Sequence, residues 1–285
     1  MADMDPMVWQ VGARKYPLGE RTLVMGILNV TPDSFSDGGL FDDPVSAVAR
    51  SRVLVSEGAD ILDIGGESTR PGSEVVEADE EIARTVPVIQ ALVAGGIDVP
   101  ISIDTRKAAV AEAACVAGAT IVNDVSAGED DAAMFSTVAA CGAAMVLMHK
   151  KGEPKTMQDD PTYEDVVAEV RDALADRLQA ARDAGIADGG LCVDPGIGFG
   201  KSVAHNLSLM KHLVELAALE RPVLVGPSRK AFIGTLLDVE VDERLEGTAA
   251  AVAWLVGNGA HIVRVHDVKE MTRVVRIVDA IRGAH

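Results

Sequence analysis

The chain has 285 residues, of which 48% are apolar, 25% are charged and 3% are aromatic, and its formal net charge is -18. This length fits one large α/β barrel or two ordinary domains. The strong negative charge argues against nucleic acid or an anionic membrane as a partner.

Neither a membrane span nor a secretory leader is expected from the sequence. No apolar run is long enough to cross a bilayer, and residues 1–10 have no apolar core of the secretory type. The three cysteines, Cys115, Cys141 and Cys192, have neither metal-binding nor redox spacing. They are expected to be small buried residues in a reducing compartment, so we expect a cytoplasmic protein.

The first 21 residues are predicted to form a lead-in that is separate from a main domain covering residues 22–285. Within this lead-in, residues 8–11 and 21–23 flank a turn-like segment at residues 16–19. This pattern predicts a short hairpin before the main fold.

The rest of the chain alternates between short apolar segments and longer segments compatible with helices. The predicted strands cover residues 22–30, 60–65, 99–103, 120–122, 144–148, 191–193, 223–225 and 262–265. The predicted helices cover residues 43–57, 77–94, 107–117, 131–140, 163–184, 203–219, 243–257 and 268–282. This strict alternation predicts an α/β fold, a single (β/α)8 TIM barrel. A doubly wound open sheet is the alternative, but no G-x-G-x-x-G pattern follows the first strand.

Polar side chains stand where the predicted strands end, at the edge on which barrels of this kind build their active sites. In chain order they are Asn29, Asp63, Asp104, Asn123, His149, Asp194, Lys230, Arg264 and His266. The Asp and Asn residues offer mainly hydrogen-bond acceptors, whereas the Arg and His residues offer donors suited to phosphate. We therefore expect a ligand that combines a donor-rich, guanidine-like heterocycle with an oxyanion group.

Each of these positions also has a purely structural interpretation. Asp194 can cap the turn that opens after it, Asp63 can support the following glycine turn, Asp124 can cap the next segment, and His149 can be a packed, hydrogen-bonded histidine. Metal catalysis is less well supported, because the first strand lacks the H-x-H of a metallohydrolase and the chain has no P-loop. The joint pattern is what favours a binding site.

Several long segments resemble signatures of the dihydropteroate synthase family. They are residues 25–39 (MGILNVTPDSFSDGG), 63–72 (DIGGESTRPG), 102–105 (SIDT), 123–125 (NDV), 152–158 (GEPKTMQ), 194–201 (DPGIGFGK), 228–230 (SRK) and 264–267 (RVHD). The resemblance covers the chain from about residue 22 onward.

This resemblance implies an activity and a set of site residues. The family joins 6-hydroxymethyl-7,8-dihydropterin pyrophosphate to 4-aminobenzoate in folate biosynthesis, giving 7,8-dihydropteroate and pyrophosphate, and it is the target of sulfonamides. The implied pterin site comprises Asp104, Asn123, Met148, Asp194, Phe199 and Lys230. The implied pyrophosphate site comprises Asn29, Arg264 and His266, with Mg²⁺ bound at Asn29. The implied aminobenzoate pocket comprises Phe35, Thr69, Arg70, Pro71, Phe199 and Ala231.

The resemblance also implies how the site works. Catalytic roles fall to Asp37, Arg70, Asp104 and Lys230, and the loops after the first two strands are expected to close over the site. Basic residues are expected at the mouth, where they would offset the acidic surface for two anionic substrates: Arg70, Lys201, Arg229, Lys230 and Arg264. Many relatives carry a larger or hydroxylic residue where this chain has Ala231, which puts the affinity for aminobenzoate in question.

The sequence leaves two alternative functions and one oligomeric state to be considered. A pterin-dependent methyltransferase of the related barrel group should lack the loop signatures at residues 35–39 and 69–71, and this chain has both. A non-catalytic pterin-binding paralogue is the other rival. The resemblance implies a homodimer, for which residues 252–256 offer an apolar face, although a buried helix would look the same.

Overall fold

The computed structural model of the protein describes residues 7–31, 44–67, 76–152, 157 and 160–284. The chain begins with a two-stranded antiparallel hairpin, β1 (Val8–Val11) and β2 (Arg14–Pro17). The prediction placed the second strand at residues 21–23, which is wrong. The turn lies at Gly12, whose φ of 56° suits glycine, and Leu23 instead opens the first barrel strand.

Eight parallel strands follow the hairpin and form the predicted TIM barrel, so the fold class is confirmed. They are β3 (Leu23–Asn29), β4 (Ile61–Gly65), β5 (Ile101–Asp104), β6 (Ile121–Asp124), β7 (Ala144–Met148), β8 (Leu191–Asp194), β9 (Leu224–Val225) and β10 (Ile262–Val265). Their order in the sheet is β8-β7-β6-β5-β4-β3-β10-β9. A bridge between Val193 and Val223, next to a 2.9 Å bond from the Val193 N–H to the Pro222 carbonyl, joins β8 to β9 and closes the barrel.

The helices cover the outside of the barrel. They are α1 (Pro44–Glu57), α2 (Ala78–Ala94), α3 (Ala108–Ala117), α4 (Met134–Cys141), α5 (Val166–Asp183), α6 (Val203–Lys211), α7 (Ala231–Leu237), α8 (Leu245–Gly257) and α9 (Val268–Arg282). In the described part of the chain, no helix combines the length and apolar character that a membrane crossing requires.

Two segments differ from the predicted helices. The sixth helix was predicted to reach residue 219, but α6 ends at Lys211 and a 3-10 helix, Leu213–Leu219, continues from it. Its three-residue turn buries Leu213 and Leu216 on one side. The short helix α7 was not predicted, because its apolar run is hard to distinguish from a buried loop.

Side chains alternate between the inside and the outside of the barrel along each strand. The outward residues pack under the helices as the main core. Inside, the lower part of the barrel is apolar and includes Met25, Ile61, Ile121, Cys192 and Ile262. On four of these strands, the next side chain that points inward, two residues closer to the carboxyl end, is polar.

The hairpin closes the lower end of the barrel. Trp9 on β1 is fully buried among the inward apolar residues, and its indole N–H donates to the carbonyl of Gly190 at 3.0 Å. Val11, two residues along, is buried in the same cluster. The amino end of the barrel is therefore filled with apolar side chains, and the polar layer lies toward the carboxyl ends of the strands.

The cysteines only partly match the expectation of small buried residues. Cys192 is fully buried inside the barrel, whereas Cys115 is half-buried and Cys141 is exposed at the end of α4. The prediction was therefore wrong for Cys141, because its helix turns that position outward.

Candidate active site

The inward polar layer is organised around Asp63, which is completely buried on β4. One carboxylate oxygen, Oδ2, accepts from the Asn123 side-chain amide at 3.1 Å and from Nε of Arg264 at 2.5 Å. A terminal nitrogen of Arg264 donates to Oδ2 of Asp104 at 2.6 Å. Four strands thus contribute one side chain each to a continuous network across the barrel.

This network fixes the direction in which each member points. Because Asn123 gives its amide N–H to Asp63, its amide oxygen remains as an acceptor for a ligand. Oδ1 of Asp63 and Oδ1 of Asp104 are buried without a hydrogen-bond partner in the part of the chain that the structure describes. Unpaired buried acceptors are costly and point to a donor supplied by a ligand or water.

At both Asp104 and Arg264 in this network, burial and the neighbouring opposite charges act on the pKa in opposite directions. Burial raises the pKa of Asp104 to about 7, although the adjacent Arg264 acts in the opposite direction. Burial alone would lower the pKa of Arg264, but the charges of Asp63 and Asp104 outweigh it and raise that pKa above its usual range. Arg264 therefore stays cationic, while Asp104 can exchange a proton near neutral pH.

Asp194 ends β8 and is 5% exposed. Its Oδ1 accepts from the backbone N–H of Gly196 at 2.7 Å, so the structural interpretation as a turn cap is also correct. Burial raises the pKa of Asp194 to about 6, although the Gly196 hydrogen bond and the nearby cations act against this. Met148, its register partner on β7, is buried beside it.

Lys230 and Phe199 meet on the other side of the mouth. The ammonium of Lys230 lies 3.9 Å from the centre of the Phe199 ring, a cation–π contact. Gly198, with a φ of 87°, leaves room for the lysine stem, because a Cβ there would lie 3.1 Å from Lys230 Cδ. Ala231 follows at the start of α7 and is exposed.

His266 follows β10 and is oriented by Ser228. The Ser228 hydroxyl accepts from the His266 backbone N–H at 3.2 Å and lies 3.0 Å from its ring Nδ1. Asn29 ends β3, and its Oδ1 lies 3.7 Å from the position that a Cβ on Gly65 would take, as does Oδ2 of Asp104. The Asn29 and Asp104 oxygens therefore lie over the same glycine.

The basic cluster expected at the mouth is only partly found. Arg229 donates to the Asp267 carboxylate through Nε at 3.0 Å and through a terminal nitrogen at 2.5 Å. Lys201 is 2% exposed and lies behind the site rather than at its surface, which makes that expectation wrong. Of the cluster members that the structure describes, Lys230 and Arg264 face the polar layer, where the charges of both act on Asp104.

The structural interpretations of Asp124 and His149 are both correct. Asp124 caps its own turn, accepting from the backbone N–H groups of Ser126 at 2.7 Å and Gly128 at 2.6 Å. His149 is a hydrogen-bonded, packed histidine whose Nδ1 lies 3.0 Å from the Lys201 ammonium. Neither side chain belongs to the network inside the barrel.

Five of the implied site residues lie outside the described residues: Phe35, Asp37, Thr69, Arg70 and Pro71. The same holds for residues 32–39 and 68–73 of the first two loops, and for most of the segment 153–158.

Sequence reasoning undervalued Asp63 and did not single out Ser228. Asp63 is one of the polar residues predicted at the strand ends, with turn support as its structural alternative and no role implied by the resemblance, yet in the structure it connects Asn123 to Arg264. The alternation Ile61, Asp63, Gly65 was a usable signal, since it places Asp63 on the same side as the apolar floor. Ser228 had no comparable signal, because its partner His266 is 38 residues away.

Comparisons with known proteins agree on one group. A family model described as "Pterin binding enzyme" matches residues 25–266. Dihydropteroate synthase of Synechocystis is 45% identical over 99% of this chain and 97% of its own length. A crystal structure of the Yersinia pestis dihydropteroate synthase with a sulfonamide drug complex superposes with a TM-score of 0.92 at 43% identity, covering 98% of this chain and 100% of that one. The Xanthomonas albilineans enzyme with 4-aminobenzoic acid gives a TM-score of 0.91 at 44% identity, with the same coverage.

Proposed function

This chain belongs to the dihydropteroate synthase family, and we propose that the polar layer of its barrel carries out the family's reaction. In that reaction, 6-hydroxymethyl-7,8-dihydropterin pyrophosphate and 4-aminobenzoate give 7,8-dihydropteroate and pyrophosphate. The observation that carries this proposal is the buried set of acceptors, Asp63, Asp104, Asn123 and Asp194, held beside the cation of Arg264.

The acceptors suit the donor-rich edge of a pterin. The 2-amino group and the adjacent ring N–H would donate to Asp194, whose Oδ1 is already fixed by Gly196. The amide oxygen of Asn123, oriented by Asp63, would accept beside it. The ammonium of Lys230, placed over the Phe199 ring, would donate to a ring nitrogen or carbonyl of the pterin.

The anion would bind on the opposite side of the layer. His266 and Arg264 supply donors that match a pyrophosphate, since charge-assisted bonds to phosphate are strong. Arg264 remains cationic because it lies between Asp63 and Asp104. In this arrangement the pterin would occupy one side of the mouth and the pyrophosphate would lie next to it, with Arg264 between them bonded to Asp104.

Mg²⁺ fits this arrangement as a partner of the substrate. Among the described residues, no cluster of three or more His, Cys, Asp or Glu side chains could hold a metal ion. Mg²⁺ is often bound by one or two protein oxygens together with substrate phosphates and water, and the Asn29 side-chain oxygen, which lies beside Oδ2 of Asp104 over Gly65, would supply one such ligand. When bound there, the ion would neutralise charge on the departing pyrophosphate.

The chemistry needs no covalent enzyme intermediate. The C–O bond between the pterin methylene and pyrophosphate breaks, and pyrophosphate leaves with the electron pair. The methylene cation is delocalised into the pterin ring, where the carboxylate of Asp104 would stabilise the positive charge. The amino nitrogen of 4-aminobenzoate then forms the new C–N bond and releases its extra proton to water.

The aminobenzoate pocket rests on fewer described residues. Phe199 and Ala231 flank Lys230 at the mouth, and the remaining implied residues, Phe35, Thr69, Arg70 and Pro71, stay predictions. Asp37 and Arg70 likewise keep their implied catalytic roles as predictions. Because the Y. pestis and X. albilineans relatives were solved with a sulfonamide and with 4-aminobenzoic acid, we also propose that this chain binds both classes of ligand.

A homodimer is part of the proposal, but not through the face first expected. Val252, Leu255 and Val256 are fully buried against the barrel, so residues 252–256 offer only Trp254 to a partner, at 51% exposure. Further exposed apolar side chains lie before Trp254 in the chain, from the end of α7 to the start of α8: Leu236, Leu237, Val241 and Leu245. Sedimentation of wild type and of a Trp254→Lys variant tests this dimer surface, because a monomeric variant is expected only if the surface is an interface.

We also propose a cytoplasmic location, which the three free thiols support.

The reaction is tested by following pyrophosphate and dihydropteroate together, with Mg²⁺ present and with or without 4-aminobenzoate. Equimolar formation of both products supports the proposal. A folded, pterin-binding protein that releases no pyrophosphate would instead be the non-catalytic paralogue. Release without condensation would indicate a defect in the aminobenzoate pocket near Ala231.

A further inference from the structure

Lys201 is a buried cation that the proposed reaction does not use. It is 2% exposed, which is rare for lysine unless it is paired. Yet no carboxylate oxygen among the described residues forms an ion pair with it. Its ammonium lies 2.9 Å from the Phe199 carbonyl, 3.2 Å from the His149 carbonyl and 3.0 Å from Nδ1 of His149. An ammonium has three hydrogens, so these three acceptors satisfy the charged form completely.

The acceptors belong to two loops that meet behind the site. One is the loop between β8 and α6, and the other begins where β7 ends. Their backbones approach so closely that only glycine fits at two positions. A Cβ on Gly196 would lie 2.0 Å from the His149 carbonyl oxygen, and a Cβ on Gly200 would lie 2.1 Å from that of Lys151. The hydroxyl of Tyr163 donates to the Gly200 carbonyl at 3.0 Å.

The loop between β8 and α6 carries residues of the proposed pterin site at both ends. Asp194 opens it, with its carboxylate held by the Gly196 N–H, and Phe199 lies near its end under Lys230. Lys201 is bonded to the carbonyl of Phe199 itself. Any movement of this carbonyl would displace the Phe199 ring, on which the Lys230 ammonium rests.

The charge of Lys201 also acts on Asp194. Burial raises the pKa of Asp194, and the charges of Lys230, Lys201 and Arg264 lower it again. The interaction is mutual: burial lowers the pKa of Lys201 to about 7, Asp194 opposes that change, and Lys230 and Lys151 reinforce it. His149 is neutral, because burial and the charge of Lys201 lower its pKa to about 3. The ring nitrogen Nδ1 accepts from the ammonium in the tautomer that carries its proton on Nε2.

We propose that Lys201 is a positioning residue for the pterin substrate: its ammonium fixes the loop between β8 and α6 to the end of β7, and so holds Asp194 and Phe199 in their binding positions. This inference rests on the proposed function, since it assigns Lys201 a role at the same site. Lys201 touches neither substrate nor reacting atoms, and its action passes through Asp194 and Phe199.

The test replaces the ammonium with a side chain of similar length, Lys201→Met. We expect KM for the dihydropterin pyrophosphate to rise by roughly tenfold, since the loss of hydrogen bonds from a charged donor shifts an equilibrium by at least about that factor. Pterin affinity should also weaken at a higher pH than in wild type, because Asp194 would gain its proton earlier. A lysine that only supports folding would change stability and leave this pH midpoint in place.

Lys150→Met is the matched control. Lys150 is a neighbouring lysine with 6% side-chain exposure, but it pairs with Asp130 at 2.6 Å and does not bond to the loop between β8 and α6. It is expected to keep the wild-type KM and pH midpoint. An unchanged KM and pH midpoint in Lys201→Met would overturn the proposal.

Two further variants separate the possible failures. If Asp194→Ala keeps wild-type pterin affinity, the proposed pterin site is wrong; if it loses affinity and Lys201→Met does not, only the role of Lys201 is wrong. Should Lys201→Met fail to fold, His149→Phe removes one acceptor of the ammonium and keeps a ring beside Tyr163. A severalfold loss of pterin affinity is then expected, and unchanged affinity contradicts the proposal.

Discussion

Replacing Asp194 with asparagine should stabilise the protein while it disables the proposed pterin site. The carboxylate is 5% exposed, and burial raises its pKa from 3.8 to about 6. An amide of the same shape keeps an oxygen for the Gly196 N–H but carries no charge to bury. Functional sites commonly hold such unfavourable charges at the expense of stability.

The size and the sign of the effect follow from the two pKa values. Between pH 3.8 and about 6 the folded state binds more protons at Asp194 than the unfolded state, so the stability of wild type falls as the pH rises through this window. Above this window, the free energy of unfolding of wild type is lower by roughly 3 kcal/mol than it would be with an uncharged side chain at this position. At pH 5 roughly half of it remains.

Urea unfolding followed by circular dichroism at pH 5 and pH 8 measures this difference for wild type and Asp194→Asn. We expect the variant to be more stable at pH 8, by an amount that shrinks at pH 5. The control is Asp98→Asn, because the Asp98 side chain is 96% exposed and its change should stay within about 0.5 kcal/mol.

Two results would contradict an origin of this stability difference in the buried charge of Asp194. A variant that is less stable than wild type at pH 8 would mean that the charge of Asp194 is stabilised by its neighbours rather than penalised by burial. A gain of equal size at both pH values would mean that the effect does not come from protonation of this carboxylate.

Three further substitutions test other parts of the structure. Ser228→Ala removes the hydroxyl beside Nδ1 of His266, so affinity for inorganic pyrophosphate should fall by roughly fivefold, while calorimetry shows unchanged binding of the phosphate-free pterin. Gly196→Ala places a Cβ 2.0 Å from the His149 carbonyl oxygen and should abolish pterin binding in the same assay. Trp9→Ala empties the floor of the barrel and should lower the free energy of unfolding by about 3–5 kcal/mol, measured in urea.

Each of these three has its own control and contrary result. Ser228→Ala would contradict the account if pyrophosphate and phosphate-free pterin lost affinity equally. For Gly196→Ala the control is Gly142→Ala, where φ is 64° but no atom lies within 4 Å of the new Cβ; equal losses would exclude the clash as the cause. Trp9→Phe keeps most of the volume, and a stability as low as that of Trp9→Ala would show that the bond to Gly190 dominates.

The barrel could be predicted because local signals and the global fold agree. Eight apolar runs, each followed by a segment that suits a helix, leave few other architectures. The same alternation predicted that polar residues at the strand ends would face one site, and the side chains of Asp104, Asn123, Asp194 and Arg264 do lie inside one barrel. The hairpin was located but its second strand was not, because residues 14–17 are polar and at the sheet edge carry little strand signal.

The connections within the site could not be predicted, since they depend on distances between residues far apart in the chain. Asp63 and Arg264 are 201 positions apart, and no local pattern shows that they bond. Lys201 illustrates the same limit: its sequence context suggested a cation at the mouth, yet the turn of the glycine-rich loop points it inward to three acceptors. The type of charge at a position can be read from the sequence, whereas the direction in which the charged side chain points depends on the packing of the folded chain.

The binding of 6-hydroxymethyl-7,8-dihydropterin, without pyrophosphate, to wild type and to Asp194→Asn shows whether the polar layer of the barrel holds the pterin. Calorimetry at pH 8 should show binding to wild type and to the control Asp98→Asn, and a loss of roughly hundredfold in Asp194→Asn, because an amide N–H would face the pterin donors. Equal affinity in all three proteins would contradict the account, since the pterin would then bind somewhere other than the polar layer of the barrel.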